Sequence, residues 1–215
     1  MSEGYEIASI DELEEFPINE GEFVWRPIRR RFGINAFGTN AYTAQAGQRV
    51  VEEHREQGGH EEMYVVLRGR ATFTLGEDEV DAPAGTIVFL RPGTRRGAIA
   101  KEDGTAILAV GAKPGEVFEP SPWEETFAAT SYADRGELER ARATFDAAIA
   151  AHPDAWQGPY NAACVEAKHG DPERALAHLE RAHELEPEQV AKYARGDEDF
   201  ASVRDELRFK AIVDA

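Results

Sequence analysis

The stretch GQRVVEEHREQGGHEEMYVVLRGRATFTL, residues 47–75, decides the fold of the first half of the chain. It strings together RVVEEH, MYVVL and ATFTL, runs rich in β-branched and aromatic residues and divided by glycine and polar residues. Such runs read as strands. Arg68-Gly69 reads as a tight hairpin between MYVVL and ATFTL, and Gly76-Glu77-Asp78 as the turn that ends the next strand. The same texture extends outward, to FVWRPI and AYTA on one side and to TIVFL, GAIA and TAILAV on the other. Short strands at regular intervals predict an all-β sandwich or barrel over residues 1–120. Trp25, Tyr42, Phe73 and Phe89 are assigned to its core. The clusters Arg29-Arg30-Arg31 and Arg95-Arg96 read as strand-edge guards or ion-pair partners.

The texture changes at a linker, KPGEVFEPSP (113–122), beyond which Ala, Glu, Arg and Leu dominate. Ser121-Pro122-Trp123-Glu124 has the form of a capped helix start. GELERARATFDAAIAAHP (136–153) realigns with GDPERALAHLERAHELEP (170–187) at a shift of 34 residues. The match pairs Gly136 with Gly170, Arg140 with Arg174, Ala141 with Ala175, Ala148 with Ala182 and Pro153 with Pro187, and sets Phe145 opposite Leu179. A 34-residue period is that of a helix–turn–helix unit, and the pair resembles tetratricopeptide repeats. Past Pro187 the period fails, and short capping helices are expected, with Asp197 as a cap. Residues 121–215 are thus read as a helical domain. Cys164, among small residues in YNAACVEA, reads as a buried structural thiol.

Residues 34–111 resemble the cupin family. The stretch 47–75 resembles the first motif, with Glu62 and Gly69 at the family's glutamate–glycine spacing; the second is APAGTIVFLRPGTRRGAI (82–99), with Gly85 before a strand and Pro92-Gly93 at the next turn. The resemblance implies a jelly-roll barrel holding a metal or small ligand, so the whole chain reads as a cupin-type barrel followed by tetratricopeptide-like helices. It also implies a divalent ion held by two histidines, a glutamate and a later histidine. Here His54 and Glu62 match, but Glu56 replaces the second histidine and Arg96 the last. His60, Glu62 and Tyr64 alternate along one strand and share a face, so His54, His60 and Glu62 are the candidate ligands for Zn, Fe, Mn or Ni. The other reading places Arg96 in the barrel against Glu62 or Glu56, with Arg96, Tyr64 and Glu56 receiving a small anionic ligand. Both stay open at this point.

Net charge is −17, and both halves share the acidic excess, which argues against nucleic acid and anionic membranes as partners. One cysteine excludes a disulfide framework, and the acidic start lacks a leader pattern, so a cytoplasmic location is expected. A peptide partner is expected on the helical repeats, with Asn161 and Arg195, again 34 apart, as candidate carboxylate-binding residues. The cupin resemblance further implies a homodimer, with residues 20–44 as a segment to exchange. Two functions follow: a small-ligand-binding or adaptor protein, or a metal-dependent dioxygenase, isomerase or lyase.

Overall fold

The computed structural model describes residues 6–18, 21–56 and 58–214, with backbone alone at 122 and 123. The chain divides into two compact units, Met1–Glu119 and Pro120–Ala215.

Among the described residues the first unit holds ten strands: β1 (Phe16–Ile18), β2 (Phe23–Arg26), β3 (Gly38–Ala44), β4 (Arg49–Arg55), β5 (Glu61–Arg68), β6 (Arg70–Leu75), β7 (Asp78–Pro83), β8 (Ile87–Leu90), β9 (Arg95–Ala100) and β10 (Thr105–Ala112). They form a six-stranded sheet, β1-β2-β3-β10-β5-β8, and a four-stranded sheet, β4-β9-β6-β7, antiparallel throughout. This is consistent with a jelly roll. Alternation sets the inner face: Tyr64 and Val66 of β5, Phe73 of β6, Val88 and Leu90 of β8 and Ile107 of β10 share one buried cluster.

Three expectations change here. The Arg68-Gly69 hairpin is absent, because β5 and β6 lie in different sheets. Gly69 is instead the corner where the chain changes sheet; its φ is +70°, and a Cβ would sit 2.6 Å from Thr105 Oγ1. Phe89 is 53% exposed, because Val88 and Leu90 take the inward positions of β8 and Phe89 falls between them. Arg29, Arg30 and Arg31 lie on a short helix, α1 (Ile28–Phe32), rather than on a strand edge, and Arg31 pairs with Glu6. Residues 23–26 and 38–44 pair within their own chain, as β2 on β3 and β3 on β10.

The second unit is helical: α2 (Pro122–Asp134), α3 (Leu138–Ala151), α4 (Gln157–His169), α5 (Pro172–Leu185), α6 (Pro187–Gly196) and α7 (Leu207–Val213). Helices α3 and α5 begin and end 34 residues apart, and the matched positions are buried alike: Ala141 with Ala175, Phe145 with Leu179, Ala148 with Ala182. The two matched glycines serve different ends. Gly136 takes φ +83°, whereas Gly170 leaves room, since a Cβ there would lie 2.0 Å from Glu166 Oε2. Asp197 caps the 3-10 turn Glu198–Ser202, accepting from the Asp199 N–H. No helix among the described residues is long and apolar enough to cross a membrane.

Candidate functional site

The polar centre of the barrel joins the two sheets. Arg96, on β9, is fully buried, and Glu62, on β5, meets it from the opposite sheet. Arg96 Nε donates to Glu62 Oε2 at 2.9 Å, Nη2 donates to the same oxygen, and Nη1 donates to the Thr94 carbonyl at 2.8 Å. Tyr64 O–H adds a third donor to Oε2 at 3.2 Å. Burial first, then the Glu62 charge, holds the Tyr64 phenol well above its ordinary pKa, so it remains a neutral donor. Gly111 stands opposite Glu62 on β10, and a Cβ there would press within 3.2 Å of Glu62 Cγ. The glycine leaves room for the carboxylate.

The remaining candidates lie around this pair. His54 is the register partner of Arg96 and shares its face, but its Nδ1 lies 2.8 Å from the Glu52 carbonyl oxygen. His60 sits just before β5, with Nδ1 3.4 Å from Glu56 Oε1 and its ring edge-on to Phe118 at 6.3 Å. Glu56 also accepts from the Gly58 N–H at 2.5 Å, and its backbone carbonyl accepts from the Gly93 N–H, tying two loops together. Phe118, from the linker, packs over Gly38, where a Cβ would meet the ring at 3.0 Å.

The structure therefore unites Arg96, Glu62 and Tyr64, and separately Glu56 with His60. It does not gather His54, His60 and Glu62 as three ligands. Among the described residues, Cys164, Asp197 and Asp199 in the helical unit are the group of three whose potential ligand atoms all lie within 4.8 Å of one another. A divalent ion at the barrel position does not fit this donor set. Glu62 Oε2 already accepts from a fixed cation, and that guanidinium would repel a divalent ion beside it.

In the helical unit, Asn161 Nδ2 donates to the Gln157 carbonyl of its own helix, and Arg195 Nη2 donates to the Val213 carbonyl of α7. Both candidate peptide-binding side chains are thus engaged locally rather than on a common point. Cys164 is buried, and burial first, then Asp197 and Asp199, pushes its thiol well up, as suits an inert structural cysteine. Sequence reading missed Glu166, an almost wholly buried acid on α4. Arg142 of α3 grips it through Nε and Nη2 at 2.7 and 2.8 Å, Arg174 of α5 donates at 3.0 Å, and so does the Asp171 N–H. Its partner Arg142 lies 24 residues away, which no local pattern reveals.

Comparison with known proteins bears on the N-terminal unit. The cupin domain family matches residues 41–111, so the N-terminal part of the chain carries a cupin domain. Similar solved structures include a cupin protein from Bacteroides fragilis, 18% identical, covering 56% of this chain and 93% of that one with a TM-score of 0.43. An RmlC-like cupin protein from Desulfovibrio desulfuricans is 25% identical, covering 50% and 97%, with a TM-score of 0.41. A sugar phosphate isomerase of the cupin superfamily from Silicibacter pomeroyi is 16% identical, covering 50% and 76%, with a TM-score of 0.44. No curated protein matches the chain.

Proposed function

We propose that this is a small-ligand-binding protein whose barrel holds a polar ligand beside Glu62, Arg96 and Tyr64 without a resident divalent ion, and whose helical repeats receive a protein partner. The observation that carries the barrel reading is the buried Arg96 guanidinium on Glu62. The charge such a barrel would otherwise borrow from a metal is built into the chain. A metal-dependent enzyme using His54, His60 and Glu62 has this geometry against it. The 34-residue repeat of α3 and α5, with matched residues buried alike, supports the tetratricopeptide reading of the helices. Helix pairs of that kind offer their surfaces to peptides and other proteins.

A second copy of the chain is the partner proposed for the barrel. The outer face of β5 and β8 is apolar, with Leu67 45%, Ile87 65% and Phe89 53% exposed and the pairs Met63–Phe89 and Val65–Ile87 side by side. A contiguous apolar patch on a sheet edge is a recognition surface. Native mass spectrometry of untagged protein tests both parts. The expected spectrum is a dimer carrying a small organic adduct, with the dimer lost in Phe89→Glu and the adduct lost in Glu62→Leu. A monomer with no adduct, unchanged by either substitution, contradicts the reading.

A further inference from the structure

Gly38 of β3, Gly111 of β10, Glu62 of β5 and Leu90 of β8 lie in register across one end of the barrel. Alternation sets all four on the inner face, in step with Ala44, Ile107, Tyr64 and Val88 of the buried cluster. The opposite sheet meets this row through Arg96 on Glu62. Glycine at two neighbouring positions removes two side chains from the mouth of the barrel. The Glu62 side chain leans over one of them, since a Cβ on Gly111 would lie 3.2 Å from Glu62 Cγ.

Phe118 fills the space over the other. A Cβ on Gly38 would lie 3.0 Å from Cε2 and Cζ of its ring. The ring also meets the His60 ring edge-on, at 6.3 Å between centroids. It therefore sits inside the mouth, at the Gly38 end of the row that Glu62 shares. Behind the row Arg96 is wholly buried and Tyr64 almost so. The polar centre is shut.

The segment that carries the ring has few other ties. Residues 114–117 and Glu119 are exposed on either side of it, Val117 to 86%. Glu116 pairs with Lys113 at 3.6 Å and donates its backbone N–H to the Lys113 carbonyl, so these contacts stay within the segment. Among the described residues, no hydrogen bond or ion pair joins residues 114–119 to a strand. Gly115, at φ +75°, makes the turn that brings the segment back over the mouth. A surface segment anchored by one side chain can open locally while the sheets stay intact.

We infer that Phe118 is a lid. Its ring shuts the barrel mouth, and residues 114–119 lift it to admit the small ligand, which takes the vacated seat on Gly38 and Gly111 beside Glu62. This rests on the barrel being a small-ligand site, the reading proposed above. It explains how polar groups without open access can serve a ligand, and why two glycines face the ring: a larger side chain there would fill the seat.

Fluorine NMR of the full chain, with 4-fluorophenylalanine at position 118 alone, tests the lid without any ligand. The expected main signal is shielded from a soluble gadolinium chelate. Exchange saturation transfer should reveal a minor state of about 0.1–10% that the chelate reaches. That state should hold its population up to about 1 M urea, because lifting one ring exposes little surface. Gly38→Val should reverse the two populations, since its side chain takes the place of the ring. A single accessible signal means the ring is not seated, and a single shielded signal without an exchange partner means a fixed wall; either overturns the lid. So does a minor state that climbs steeply with urea, which is barrel unfolding, or a spectrum that Gly38→Val leaves unchanged. Native mass spectrometry separates the lid from the ligand reading. Phe118→Ala should shed the small organic adduct about tenfold faster on dilution. An adduct lost no faster overturns the gating role, whereas a lifting ring in a protein that never carries an adduct upholds the lid and sinks the small-ligand reading.

Discussion

Replacing Glu62 with leucine lowers the stability of the barrel unit by about 3–5 kcal/mol, measured as a shift of the urea unfolding midpoint. The reason is asymmetric. Arg96 is wholly buried, so removing the carboxylate leaves a cation in the interior without its paired negative charge. Glu62→Gln costs less, because the amide oxygen still accepts from Arg96 and Tyr64. The double variant Glu62→Leu/Arg96→Met recovers most of the loss, since a buried ion pair and a well-packed apolar pair of similar volume have comparable stability. A Glu62→Leu loss below about 1 kcal/mol, the scale of an exposed pair, would show that the pair is solvated.

The second large effect lies in the helical unit. Glu166→Ala is expected to cost about 2–4 kcal/mol there, by removing the acceptor that joins α3, α4 and the start of α5. The cost is smaller than in the barrel because Arg142 and Arg174 are partly exposed and regain water. Burial pushes the Glu166 carboxyl up, but the paired hydrogen bonds of Arg142, the Asp171 N–H and the charges of Arg142 and Arg174 outweigh it, so its pKa lies below the ordinary 4.5. A carboxyl with a depressed folded-state pKa contributes stability above its unfolded-state pKa and loses it as pH falls through the folded one. The difference in unfolding midpoint between wild type and Glu166→Gln should therefore be constant from neutral pH down to about 4.5 and shrink below it. A difference that grows on acidification would reverse the sign and refute the assignment.

Much of the fold is legible in residues 47–111, because MYVVL, ATFTL and TAILAV are short runs rich in β-branched and aromatic residues set off by glycine and polar residues. Where the reading slips, the missing information is not local. Arg68-Gly69 carries the same glycine signal whether the next strand pairs with the last or passes to the other sheet, and strands distant in sequence decide which. Phe89 resembles core by residue type, yet parity along four residues puts it outside. The helical repeat is legible because it recurs, although equal glycines at 136 and 170 turn out to answer a backbone angle and a steric limit respectively.

The site was half visible. The cupin resemblance brings Glu62 and Arg96 forward, and with them the choice between a metal and an ion pair, but the choice depends on the depth and direction of one arginine side chain. Glu166 gives no signal at all, since it matters through arginines on two other helices.

The Arg96 guanidinium is proposed to stand where a cupin barrel would hold a cation. Elemental analysis of the full chain, purified without a metal-affinity tag, beside the His54→Ala/His60→Ala double variant, tests it most directly. The expected result is iron, zinc, manganese and nickel all far below one equivalent in the wild type and unchanged in the variant. Near-stoichiometric metal in the wild type, lost with the two histidines, would contradict the claim and return the barrel to metal-dependent chemistry.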